Sequence, residues 1–286
     1  MAVATITFAD RLAAEVERKR SQLVVGLDPQ VDLMPIELRG EVARFCCGIV
    51  DAVAPHAVAV KPQLAFFEAL GPAGIVAFDQ VCQYAKRAGL LVIADGKRGD
   101  IGSTARAYSE AYIEGDPPRA DALTVNPWLG RDAIEPFLGA VRRGNVGIFV
   151  LVRTSNSSGD LQDAVLKDGR PMWHHVAELV DEWGAEMAGE TGLSSVGAVV
   201  GATHPRAVAE ARRLMPRTIM LLPGVGAQGA AVSDLTRAFQ SGPASALVSA
   251  SRSVIYAFKD AGTDYREAAG AEAARLKRDI WAASGW

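Results

Sequence analysis

The stretch VIADGKRGDIGST, residues 92–104, runs from an apolar segment straight into Asp95, Lys97, Arg98 and Asp100. Asp95 and Lys97 are two residues apart, so on a β-strand their side chains emerge on the same face. Lys61 ends another apolar run, AVAVKPQ at 57–63, and Asp100 lies just beyond Lys97, where a helix should begin. Together, two cations and two anions of alternating sign hold each other ionised, at roughly 4 kcal/mol per close pair for an effective dielectric near 20. Such a cluster either ties strand ends together or supplies the charges of a site. Lysine is scarce here, seven of the 30 basic residues, and two of the seven at the ends of apolar runs favour a site.

A second group suits an anion. LLPGVGAQGA (221–230) and SASRSV (249–254) each follow an apolar run. The glycines let backbone N–H groups approach a ligand, and Gly226, Gln228 and Arg252 make a candidate phosphate site. A plain tight turn is the other reading of such glycines. His204, before Pro205, reads as a cap or a packed side chain, and Trp128 as packing. None of the four histidines is given a catalytic role, and no His, Asp or Glu set has metal-ligand spacing.

The elements that must position these residues are eight apolar runs: 22–28, 57–63, 90–97, 122–127, 147–154, 196–203, 219–225 and 245–252. They are rich in Val, Ile and Leu without polar alternation, as strands covered on both faces are. Helical spacing separates them. Ile36, Val42, Phe45, Ile49 and Val53 share one helical face, and a last helix is predicted to open on Asp264 and Glu267 as a capping pair and to continue through Ala273, Leu276 and Ile280. The pattern predicts a (β/α)8 barrel forming a single domain over 1–286, with a loop-and-helix insertion around 155–195 that resumes as a helix near Pro171. An open doubly wound sheet is the alternative, weakened by the lack of a Gly-x-Gly-x-x-Gly after the first strand. In a barrel, residues at the ends of the runs converge on one mouth. Asp28, Lys61, Asp95, Lys97, Asn126, Ser155, His204 and Arg252 all stand there.

A net charge of −3 gives no basic surface for nucleic acid or membrane. No apolar run reaches membrane-spanning length, and the N-terminal residues lack a signal-peptide core. Cys46, Cys47 and Cys82, odd in number and without metal spacing, suit free thiols in a reducing cytoplasm.

The order of motifs resembles one family. DGKRGDIGST fits the Asp-x-Lys-x-x-Asp-Ile-x-x-Thr signature of orotidine 5'-phosphate decarboxylases, and VGLDP, VKPQ, PGVGAQG and ASR follow that family's order from Val25 to Arg252. VKPQLAFFE and the long 155–195 stretch resemble its longer bacterial branch. The resemblance implies a cofactor-independent decarboxylation to uridine 5'-phosphate. It implies Lys97 as proton donor to C6, Asp95 and Asp100 beside the departing carboxylate, and Lys61 completing the network and touching the ribose. Asp28 would bind a ribose hydroxyl and Ser155 the pyrimidine edge. Gln228 and Arg252, with the Gly226 backbone, would hold the phosphate. It also implies a homodimer with shared sites, in which Asp100, Ile101 and Thr104 serve the neighbouring subunit. Two other functions fit a barrel of this kind: a metal-dependent sugar-phosphate decarboxylase or aldolase, against which the cation Lys61 argues, and a non-catalytic nucleotide-binding barrel, against which the complete charged set argues. Arg98 has no role in any of these readings, and solvent and a dimer interface are equal destinations for it.

Overall fold

The computed structural model describes residues 6–143, 145–156, 158–225 and 231–286. All eight apolar runs form strands: β1 (Leu23–Leu27), β2 (Ala59–Pro62), β3 (Leu91–Arg98), β4 (Ala122–Val125), β5 (Gly147–Arg153), β6 (Ser194–Val200), β7 (Thr218–Pro223) and β8 (Ala246–Ala250). Each pairs in parallel with the next, and β8 returns to β1 through Leu23–Val248, Val24–Ser249 and Val25–Ala250. This closes a (β/α)8 barrel, and the doubly wound alternative falls because the sheet has no edge strand.

Around the barrel run α1 (Phe8–Lys19), α2 (Val42–Val53), α3 (Leu64–Glu68), α4 (Gly71–Arg87), α5 (Gly102–Tyr112) and α6 (Arg131–Arg143). They are followed by α7 (Met172–Gly184), α8 (Pro205–Leu214), α9 (Arg252–Ile255), α10 (Phe258–Ala261) and α11 (Tyr265–Ser284). A short 3-10 helix, Val232–Phe239, follows β7. Strand alternation divides the apolar residues into two cores. Leu23, Val25, Val60, Val92 and Val150 face outward and pack against the helices. Val24, Ala59, Leu91, Ile93, Ala122 and Leu247 face the barrel axis. At the N-terminal end of the axis this inner core is sealed by α1, whose Phe8 meets Phe149 edge-on at 6.1 Å. Gly147 makes room for that plug, since a Cβ there would lie 2.4 Å from the Phe8 ring.

Two local expectations need correction. Ile36 does not continue the face of α2. It lies on a short 3-10 turn and is 77% exposed, because Gly40 at φ +106° breaks the chain before α2 starts at Val42. At the last helix, Asp264 caps by accepting from the Arg266 N–H at 2.9 Å, while Glu267 stands in the first turn without returning a bond to Asp264. The helix after the long loop begins at Met172, just past Pro171, as the sequence predicts. No helix among the described residues is long and apolar enough to cross a membrane.

The N-terminal end of the barrel is also fastened by Arg212 on α8, only 3% exposed. Its guanidinium donates to the carbonyls of Ala238, Met215, Pro216, Thr218 and Ser245 at 2.7–3.3 Å. Arg212→Met keeps the stem and strands several buried acceptors. Urea denaturation should show a loss of at least about 3 kcal/mol, while the folded variant should keep the wild-type kcat.

Candidate active site

The inward-facing positions that are apolar low in the barrel turn polar toward its C-terminal mouth. Ala59 is followed on the same face by Lys61 and Gln63, Leu91 and Ile93 by Asp95, and Ala122 by Thr124. These side chains border a cavity of about 450 Å³, whose wall also includes Asp28, Lys97, Ser155 and Arg252. That volume suits a small organic ligand.

Asp95 is the centre. One carboxylate oxygen, Oδ2, accepts from Lys61 Nζ at 2.6 Å and Gln63 Nε2 at 3.0 Å; the other, Oδ1, accepts from Lys97 Nζ at 2.6 Å and Thr124 Oγ1 at 3.0 Å. Burial alone would push this carboxyl up, but Lys61 and then Lys97 outweigh it and hold the group well below the usual carboxylate range. Lys61 is buried too, which disfavours its charge, yet Asp95 and then Asp28 raise its pKa overall. The two lysines differ in freedom. The Lys61 side chain is 7% exposed and the Lys97 side chain 45%, so Lys61 is fixed while Lys97 can reach a ligand.

Lys97 reaches Asp95 by a less regular route than simple alternation. Its backbone lies at φ +47°, in the left-handed region, and the β3–β4 register shifts between Ala94 and Arg98. Its N–H donates to Thr124 Oγ1 at 2.9 Å. Such a conformation costs a non-glycine residue of order 1–3 kcal/mol and persists only where the surroundings impose it.

The other predicted residues divide into those that border the cavity and those that do not. Asp28 Oδ1 is buried on the wall without a partner among the described residues, and its own carbonyl accepts from the Tyr256 hydroxyl at 2.9 Å. Ser155 is held against Gly201, where a Cβ would lie 2.6 Å from the Ser155 Cα, and its carbonyl accepts from Thr203 Oγ1 at 3.2 Å. Arg252 opens α9 at the rim and is exposed. Gly226 and Gln228 lie outside the described residues. Asp100, Ile101 and Thr104 do not border this cavity. Asp100 accepts from the Ile101 N–H at 2.8 Å, and Ile101 is 55% exposed. The expected cluster of four charges within one chain is therefore a cluster of three, because the chain leaves the barrel axis after Lys97.

Asn126 does not border the cavity either; its Oδ1 accepts from the Trp128 N–H at 3.0 Å and shapes the turn after β4. Trp128, expected to pack, is 64% exposed. Sequence reasoning missed Gln63 and Thr124. Both carried a signal: Gln63 is two residues beyond Lys61, and Thr124 is the one polar residue in the apolar run ALTV.

Residues 21–268 match the profile of the orotidine 5'-phosphate decarboxylase / HUMPS family. The chain belongs to this family. The orotidine 5'-phosphate decarboxylase of Rhodopirellula baltica is 46% identical over 271 residues, covering 89% of this chain and 90% of that one. The orotidine 5'-phosphate decarboxylase of a Roseiflexus species is 45% identical, covering 97% and 98%. Among solved structures, the Leishmania donovani OMP decarboxylase superposes with a TM-score of 0.79 at 30% identity, covering 98% of this chain and all of the other. The family match starts just before β1 and ends within α11, so it takes in the whole barrel and every described residue of the cavity wall.

The Asp95 geometry sets a stability test. Its folded pKa is depressed, so its contribution is present above about pH 4 and is lost as pH falls through the folded value. Asp95→Asn leaves Lys61 buried without its counter-charge. At pH 7 the variant should be less stable by about 3–5 kcal/mol, and the gap should narrow in acid as the wild type loses the same contribution. Denaturant titrations at pH 7 and pH 3 measure both.

Proposed function

We propose that this chain decarboxylates orotidine 5'-phosphate to uridine 5'-phosphate and CO2, the closing step of pyrimidine nucleotide synthesis. The observation that carries the reading is the pairing of Asp95 with the buried Lys61 and the accessible Lys97 at the floor of a cavity whose wall holds a buried carboxylate oxygen, Asp28 Oδ1, unpartnered among the described residues, and whose rim holds a cation, Arg252. The names of the relatives at 45–46% identity support the same substrate. Both Asp95 oxygens already face ammonium groups, which disfavours a divalent cation there and with it the metal-dependent sugar-phosphate alternative.

In this reading the phosphate sits at Arg252 with Gln228 and the Gly226 backbone, the ribose between Asp28 and Lys61, and the pyrimidine edge against Ser155. Cleavage of the C6–carboxylate bond leaves its electron pair on C6. The Lys97 ammonium stabilises that charge as it develops and then gives its proton to C6, becoming a neutral amine that solvent reprotonates. Asp95 lies beside the departing carboxylate, and the repulsion between them fades as neutral CO2 forms.

We also infer a homodimer in which Asp100, Ile101 and Thr104 complete the site of the other subunit. Support comes from their position off the chain's own cavity, and from the exposed apolar side chains nearby, Ile101, Trp128 and Leu129. A cytoplasmic setting suits the free thiols of Cys46, Cys47 and Cys82.

The first test is the fall in orotidine 5'-phosphate absorbance with time, which should proceed unchanged in EDTA. Lys97→Ala should lower turnover by at least about 10⁴-fold, since it removes the proton donor and the charge together. Near-normal turnover in that variant would refute the assignment. Mixing inactive Lys97→Ala and Asp100→Ala subunits should restore about a quarter of wild-type activity, because half of randomly paired dimers carry one intact site of two. If subunits exchange and no activity returns, Asp100 acts within its own chain.

A further inference from the structure

Arg98 goes neither to solvent nor to an unfilled interface within this chain. Outward-facing by strand parity, it turns its guanidinium onto the helices beside β3. The carbon at the centre of that group lies 5.3 Å from the Tyr108 ring centre and 5.7 Å from that of Tyr112, both on α5. Its Nη2 donates to the Tyr112 hydroxyl at 3.3 Å and pairs with Glu68 at the end of α3. The side chain is only 19% exposed. Gly96 lets Leu64 pack close beside it, as a Cβ there would lie 2.7 Å from Leu64 Cδ1. The backbone is held as well: Arg98 pairs with Val125, and its carbonyl accepts from the Asn126 N–H at 2.8 Å.

This clamp sits between two residues that must face different ways. One position earlier, Lys97 holds its left-handed backbone and points to Asp95. Two positions later, Asp100 has left the chain's own cavity and leads into α5, the helix whose tyrosines grip Arg98. Strain at Lys97 needs constraint from both sides. Thr124 supplies it at the Lys97 N–H, and Arg98 supplies it on the other side.

We propose that Arg98 is a positioning residue for the reaction: clamped by Glu68, Tyr108 and Tyr112, it fixes the turn that aims Lys97 into its own site and Asp100 into the partner's. The second half of this statement rests on the shared-site reading above. Arg98→Met should lower kcat by about ten- to a hundredfold, the scale of a displacement near 1 Å at a reacting group, with KM changed less than about threefold. Arg98→Lys should not rescue, because an ammonium lacks the planar fork that stacks on the rings and bonds both partners.

Mixed dimers separate the two halves. In a Lys97→Ala/Asp100→Ala mixture, the intact site takes Lys97 from the second chain and Asp100 from the first. Arg98→Met is added to one chain or to the other, and kcat is normalised to folded, mixed dimer measured by circular dichroism and tag-selective purification. The proposal expects a reduced kcat in both placements. An unchanged normalised kcat in both, with only a lower melting temperature, would overturn it and leave Arg98 a structural residue. An effect confined to the Lys97-donating chain would overturn the Asp100 half. If the parent mixture itself shows no activity, the shared-site reading fails, while the Arg98→Met homodimer still decides the role toward Lys97.

Discussion

A single carboxylate, that of Asp95, organises the mouth of this barrel. Its two oxygens accept four hydrogen bonds from three strand segments, with Lys61 and Gln63 coming from the β2 side, Thr124 from β4 and Lys97 from the end of β3 itself. Buried ammonium groups are tolerated only when paired, and each lysine here takes a different oxygen. Loss of the carboxylate would leave Lys61 charged and dry and the Lys97 ammonium without its partner. Among the described residues, the ionisable ones bordering the cavity are Asp28, Lys61, Asp95, Lys97 and Arg252, three cations against two anions. That surplus of positive charge in a sheltered cavity suits an anionic ligand.

The closed barrel separates this demand from stability. Along the same inward-facing rows, apolar side chains fill the N-terminal half and polar ones the C-terminal half, so the strand that buries Leu91 and Ile93 carries Asp95 one step further. The α1 plug, the Phe8–Phe149 contact and the Arg212 carbonyl cluster tighten the end away from the chemistry. Cost accepted at the mouth, in buried charge and in the Lys97 backbone, is met by a core that meets the cavity wall only at a few apolar residues such as Val199, Leu221 and Val225.

Much of this was legible in the sequence because strands covered on both faces announce themselves as unbroken apolar runs, and because the residue after such a run stands at the mouth. Lys61, Asp95, Asp28 and Arg252 followed from that rule alone. What the rule missed has two causes: it does not read the interiors of runs, and in the second run it stopped at Lys61. Thr124 sits inside ALTV and Gln63 beyond Pro62, yet both face the axis by parity. Asn126 stands at a run's end and serves only its turn. Ile36 failed for another reason: six residues to Val42 is not a helical repeat, and Gly40 interrupts the chain between them.

The spacing Asp-x-Lys-x-x-Asp is itself a statement about geometry. The interval of two from Asp95 to Lys97 keeps both on one side, and where the β3–β4 register shifts Lys97 turns back toward Asp95. The interval of three from Lys97 to Asp100 takes the chain off that side. Gly99 eases this exit, since a Cβ would lie a tight 3.0 Å from the Asn126 carbonyl oxygen as the chain passes β4. Arg98, between them, is the residue whose backbone rejoins the ladder and whose side chain grips α5. A shorter interval would leave the second carboxylate beside Lys97, where Asp95 already fills the role. A longer one would detach it from the clamp. The interval of three takes Asp100 off the chain's own cavity while keeping it close to the residue that α5 grips.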